Sequence, residues 1–209
     1  MNARVAVAGL VTFGLMGVAG CTTSTAGTAT PRPGDAVTTT DSAESTEPSS
    51  EPEAPRVADP LDATRFLTDP CAVLTPAQLA TFKVSRPGKP DTDSEIAKQV
   101  GPLCSWRADT EIPSSIGVTW QRGNKNGLGD LYRIRDRYDY FEPTTVDGYP
   151  AVFRDSSDAR ADGDCLISVG VSDSLTFTAG ESGTLDAHGA CDRAAQVAAA
   201  VLATLKESR

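Results

Sequence analysis

The 209-residue chain is poor in the residues from which most catalytic and metal sites are built. It has one histidine, His188, and no two cysteines spaced as CxxC. Structural zinc draws on closely spaced Cys and His, and thiol-exchange enzymes on CxxC, so neither chemistry has its residues here. No GxSxG nucleophile elbow, GxxxxGK[ST] phosphate loop or GxGxxG fingerprint occurs. A Ser-His-Asp triad would have to use His188. It stands between Ala187 and Gly189, just ahead of the last expected helix, where a turn or capping role is the better expectation. Basic charge is also short: 19 Lys and Arg against 28 Asp and Glu leave a formal net charge of -9. Such a surface repels phosphate backbones and anionic headgroups, which argues against nucleic-acid binding and against electrostatic adhesion to lipid. Asp155, Asp158, Asp162 and Asp164 crowd one segment around Gly163. The EF-hand pattern fails there, because Arg160 takes a ligand position and no Glu closes the loop, so a solvated loop is expected and no metal. Nothing calls for a cofactor, and no catalytic residue is singled out.

Long hydrophobic runs are missing too. The apolar stretch at residues 5–18 is too short to cross the ~30 Å hydrocarbon core of a bilayer. It follows a one-arginine start and ends in Val18-Ala19-Gly20-Cys21. That order suits a signal peptide over residues 1–20, with small residues beside the cut. It resembles the bacterial lipobox, in which the cysteine thiol takes a diacylglycerol. Cys21 is also the odd one of five cysteines. It is therefore the expected lipidation site, carrying palmitate-like chains whose buried methylenes each contribute ~0.8 kcal/mol of anchoring.

Residues 22–59 contain nine Thr, five Ser, five Pro and no aromatic residue. A segment of that composition cannot bury enough apolar surface to offset its ordering entropy. With Cys21 it is expected to form a disordered tether over residues 21–59, spanning ~30–40 Å on average as a flexible coil.

A globular domain is expected over residues 60–209. Thr75, Pro76 and Gln78 make a helix start with a capping box, and Leu79 and Phe82 would face a core. The helix should end near Lys83. Residues 87–101, rich in breakers, read as a loop. Residues 103–108 and 115–121 alternate as two strands of a hairpin, with Cys104, Trp106 and Ala108 on one face and Ile116, Val118 and Trp120 together. Helical spacing of Leu128, Leu131 and Tyr138 predicts a helix over residues 127–140. Its alternating Arg133, Arg135, Arg137 and Asp130, Asp136, Asp139 read as a salt-bridged solvated face. A turn at residues 146–150 leads to a short strand at 151–154 and a polar loop to 164. Residues 164–171 and 175–179 form the clearest strand pair, joined by a tight turn at 172–174. The last helix, roughly 190–206, carries an apolar stripe of Ala194, Val197, Ala198, Val201 and Leu205. The sum is an α+β fold: an antiparallel sheet packed by helices in one disulfide-stapled domain. Trp106, Trp120, Tyr132, Tyr138, Tyr140 and Phe141 read as core and edge packing rather than as the lining of a lipid or glycan pocket.

Several short motifs stand in a telling order. Asp69-Pro70-Cys71 leads into Leu74-Thr75-Pro76-Ala77-Gln78-Leu79. Cys104-Ser105-Trp106 opens a strand, and Val146-Asp147-Gly148-Tyr149-Pro150-Ala151-Val152 precedes Cys165. Cys191 opens a helix ending Val201-Leu202-Ala203-Thr204-Leu205. From about residue 59 onward the chain resembles the actinobacterial lipoprotein family catalogued as domain of unknown function 3558. The resemblance implies an envelope lipoprotein on the outer face of the cell membrane and no established activity.

In an oxidising compartment the four remaining cysteines should pair. The favoured scheme joins Cys71 to Cys104 and Cys165 to Cys191, each bridge tying a helix end to a nearby strand. The two other pairings, which would cross-link the halves, stay open. Each favoured bridge would contribute ~3–4 kcal/mol in the chain-entropy model. The expected function is a non-enzymatic binding or interaction module, held to the membrane by its lipid and binding an envelope protein or another envelope component. The alternative is a carrier of a small lipid or hydrophobic ligand, which requires a cavity of ~300 Å³ or more between sheet and helices.

Overall fold

The structure, a computed structural model, describes residues 53–208 except Ile112 and Thr184. Residues 1–20, Cys21 and the tether up to residue 52 lie outside the described residues. The expected leader, lipidation and disorder fall there.

Seven strands form one fully antiparallel sheet in the order β1-β2-β3-β7-β6-β5-β4. The strands are β1 (Lys89–Asp91), β2 (Leu103–Arg107), β3 (Ser115–Trp120), β4 (Tyr140–Val146), β5 (Tyr149–Asp155), β6 (Cys165–Ser172) and β7 (Leu175–Ser182). Four α-helices, α1 (Pro76–Thr81), α2 (Glu95–Gln99), α3 (Leu128–Arg133) and α4 (Ala187–Glu207), complete the α+β domain. Among these helices none is long and apolar enough to cross a membrane. Both edge strands carry a proline, Pro90 in β1 and Pro143 in β4. A proline cannot donate to a further strand, so each edge resists continued pairing.

The first face of the sheet is apolar because alternate residues of every central strand are. Ile116, Val118 and Trp120 of β3, Phe177 and Ala179 of β7, and Ile167 and Val169 of β6 are 0–2% exposed. α4 lies over them with Ala194, Val197, Ala198, Val201, Leu202 and Leu205, all fully buried. Its alanines keep the helix close to the sheet. Trp120 stacks on Phe66 at 6.1 Å and meets Phe177 edge-on at 5.6 Å, and Trp106 is buried in the same core at 2% exposure. These side chains fill the space between sheet and α4, where a carrier would need its cavity.

The α1 start follows its sequence. Thr75 Oγ1 accepts from the Gln78 N–H at 3.3 Å, and Thr75 N–H donates to Gln78 Oε1 at 2.7 Å. Gln78 Nε2 also donates to the Ala200 carbonyl of α4 at 2.9 Å, so the capping residue docks one helix on the other. Cys71 is bonded to Cys104 and Cys165 to Cys191, closing separations of 33 and 26 residues. The first bridge fastens a short 3-10 helix, Pro70–Val73, to β2; the second fastens α4 to β6.

Four expectations are corrected. Residues 87–101 are not all loop. Lys89–Asp91 pairs with β2, and α2 is capped by Ser94, whose Oγ accepts from Ala97 N–H at 3.1 Å. The helix expected over 127–140 stops at Arg133. A 3-10 turn, Arg135–Arg137, follows, and Asp139 N–H donates to the Asp155 carbonyl at 2.9 Å. That bond draws the chain into β4, so sheet pairing overrides the helical spacing. The strand at 151–154 is one arm of a longer hairpin, with Asp147 (φ 49°) and Gly148 (φ 86°) in the left-handed conformations of a two-residue turn. Packing also begins before residue 60. Val57 is 8% exposed, and its N–H donates to Asp173 Oδ1 at 3.1 Å.

Candidate functional site

The second face of the sheet is built differently. Its side chains are the residues between the core positions: Thr119 of β3, Thr176 and Thr178 of β7, Ser168 of β6, and Val152 and Arg154 of β5. Register sets Thr119 beside Thr178, Thr178 beside Ser168, and Ser168 beside Val152. Ser168 and Thr176 are 0% exposed and Thr178 is 6% exposed. α3 shields part of this face through Leu128, Leu131 and Tyr132, which pack with Val152 and Phe141. Gly127 starts α3 with φ 53°, lying so close to the β6–β7 turn that an added Cβ would meet the Ser172 and Asp173 carbonyls at 3.0 Å. Glycine at that position lets the cover sit against the turn.

At the centre lies Arg154. Its Nε–H donates to Ser168 Oγ at 3.1 Å and its Nη2 donates to Thr178 Oγ1 at 3.3 Å. The two hydroxyls are 2.8 Å apart, and Gln121 Nε2 donates to Thr178 Oγ1 at 3.1 Å. The guanidinium also lies over the Tyr138 ring, 5.2 Å from its centroid. Tyr138 in turn stacks on Phe141 at 5.8 Å. The arginine is thus held on two sides and only partly exposed. Neutral hydroxyls are its acceptors; among the described residues no carboxylate stands within ion-pair distance of it. Two residues along the same face of β7, Thr176 Oγ1 is buried with no hydrogen-bond partner among the described residues. Buried polar groups without partners are uncommon and costly.

Several other charged groups are paired. Arg160 lies over the Tyr140 ring at 4.0 Å and pairs with Glu142 at 2.8 Å and Asp158 at 2.7 Å. Arg133 pairs with Asp130 and Arg135 with Asp136, as the solvated-face reading expected. On the covered face Glu181 is 1% exposed and meets Arg193 at 2.8 Å, while Ser114 Oγ donates to its other oxygen at 2.5 Å. Burial raises the Glu181 pKa above the ordinary carboxylate range, outweighing the Ser114 hydrogen bond and the Arg193 charge.

His188 is exposed in the first turn of α4. The cap there is Asp186, whose Oδ1 accepts from Gly189 N–H at 2.8 Å, so of the turn or capping role expected of His188 the capping falls to Asp186. Among the described residues no group of three or more His, Cys, Asp or Glu gathers to hold a metal, and the four aspartates of residues 155–164 form no such cluster. A surface cleft of about 250 Å³ opens between the β4–β5 turn and the end of α4, lined by Asp59, Tyr149 and Lys206. Lys206 Nζ lies over the Tyr149 ring at 5.1 Å and donates to the Asp147 carbonyl at 3.3 Å. Sequence reasoning missed Arg154 and its hydroxyl bed. The available signal was the Ser/Thr/Gly alternation opposite the apolar positions of β6 and β7.

A family model described as protein of unknown function (DUF3558) matches residues 16–204. No curated protein and no solved structure matches this chain.

Proposed function

We propose that this chain, which belongs to the DUF3558 family, is a non-enzymatic binding module held on the outer face of the cell membrane by a lipid on Cys21. In this reading the leader ends at Gly20, and the segment after Cys21 lifts the folded domain clear of the headgroups. The domain then offers its second sheet face to an envelope component. The observation that carries the binding role is Arg154: a preorganised, partly exposed guanidinium with no carboxylate partner among the described residues, set in a bed of hydroxyls. Ser168, the hydroxyl beside it, bonds to neither a histidine nor a carboxylate, so no activated nucleophile is assembled there.

The lipid-carrier reading finds less support. The volume it needs between sheet and α4 is filled by Phe66, Trp120, Phe177 and Leu202.

Native mass spectrometry of protein purified from its own membrane tests the reading. A mature chain starting at Cys21 with acyl mass on that residue is expected, and Cys21→Ala should release unmodified protein into the medium. A mature start elsewhere, or an unmodified Cys21, sinks the anchoring. Turnover of a cell-wall or lipid substrate that a single substitution abolishes sinks the non-enzymatic reading.

A further inference from the structure

We infer that the Arg154 centre is an oxyanion-binding site, taking a carboxylate or phosphate group borne by its ligand. The inference rests on the binding-module reading and names the chemistry of that same face. A guanidinium has five N–H donors in a planar fork. The edge made by Nε and Nη2 is spent on Ser168 and Thr178. The opposite edge, both Nη1 hydrogens and the second of Nη2, has no acceptor among the described residues. That edge matches the two oxygens of a carboxylate or phosphate, and bidentate charge-assisted bonds of this kind are about twice as strong as neutral ones. Some cations elsewhere are paired with carboxylates, Arg160 with two of them, whereas Arg154 is held by neutral hydroxyls alone. What sets Arg154 apart is its fixed aim, with one edge on two hydroxyls and its plane over the Tyr138 ring.

The surroundings favour an anion in a second way. The ring of Tyr138 and the hydroxyls of Ser168 and Thr178 remove water from one side of the guanidinium without offering negative charge. In such a setting the attraction for an incoming anion is screened less than on open surface. The fixed orientation also lowers the entropy lost on binding, because the long side chain is already held.

The test uses the full chain purified in detergent from its membrane, titrated by calorimetry with sodium acetate and with inorganic phosphate. Vesicles containing phosphatidylglycerol, in a sedimentation assay, form a third arm that separates a headgroup phosphate from a free anion. Saturable binding to at least one probe is expected. Arg154→Lys, which keeps the charge and loses the fork, should weaken it about tenfold or more, the equivalent of one charge-assisted hydrogen bond. Arg154→Met should abolish it. Arg107→Ala, on the same sheet face at the far side of β2, should leave it unchanged. If Arg154→Met does not fold, Arg154→Lys and Thr178→Val decide, the latter by disturbing the aim of Nη2. Binding equal in wild type and Arg154→Lys, or no binding of any probe by folded wild type, overturns the site. Acylation is read on the same sample. Acylated protein that binds nothing defeats the oxyanion site and leaves the anchored module standing, whereas binding by unacylated protein does the reverse.

Discussion

Two rows of side chains cross the same five strands on opposite faces, offset by one residue. On the covered face the row is Cys104, Val118, Ala179, Ile167 and Phe153; on the other it is Leu103, Thr119, Thr178, Ser168 and Val152. Ile167 and Ser168 are equally buried, at 0% exposure. Burial is therefore not what separates the faces. The covered row is satisfied by dispersion and by removal of apolar surface from water, which any well-packed neighbour supplies. The second row needs hydrogen bonds, which contribute modestly when made and cost more when missing. The covered face holds the domain together, and the second face is the one we propose for binding.

Substitutions that break or sharpen this contrast differ in size. The largest loss should come from Trp120→Ala on the covered face, about 3–5 kcal/mol, because Phe66 and Phe177 cannot close the cavity it leaves. Urea unfolding measures it, and a loss under 1 kcal/mol would mean that this face is not the core. Next is the double change Cys71→Ser and Cys104→Ser, which releases a loop of 33 residues. It should lower stability by about 3–4 kcal/mol in the chain-entropy model, seen as a lower thermal midpoint.

A smaller effect concerns Glu181, the buried acid of the covered face. Its folded pKa is raised by burial, so the folded state holds its proton more tightly than the unfolded chain does. Its contribution to stability is full below the ordinary carboxylate pKa and falls as pH rises through the raised folded value. The stability of Glu181→Gln relative to wild type should therefore increase from pH 4 to pH 7. A flat difference across that range would show that Arg193 cancels the cost of burial. The smallest change should be Thr178→Val, about 1 kcal/mol or less, since Arg154 is partly exposed and water can replace the lost acceptor. A loss as large as that of Trp120→Ala would erase the distinction between the faces.

Much of the fold could be read from local pattern. The capping box at Thr75 and Gln78, the alternation of β2, β3 and β6, and the stripe of α4 each place their apolar residues by a period that belongs to one element. The errors share a cause. Tyr140 to Val146 contains Pro143 and follows a run with helical spacing, so nothing local marks it as a strand. The turn at Asp147 and Gly148 pairs it with β5, and only that pairing makes the extended form worthwhile. Lys89–Asp91 is likewise a strand because β2 lies beside it.

The candidate site was less legible than the fold. Arg154, Ser168 and Thr178 are 14 and 24 residues apart in the chain, and no spacing rule links them. The disulfide scheme shows the opposite case. Four cysteines allow three pairings, and the favoured one is the one the structure contains.

Taken alone, the amino-acid order determined which residues are apolar and at what period, and hence the kinds of element, the covered face and the cysteine count. Those properties are local: they depend on neighbours two to four positions away. Tertiary structure decided the strand order, the two edge strands, the end of α3 and the meeting of one guanidinium with two hydroxyls. Such features depend on which distant segments come to lie 5 Å apart, and a strand's own residues carry no record of its neighbour until the sheet has formed.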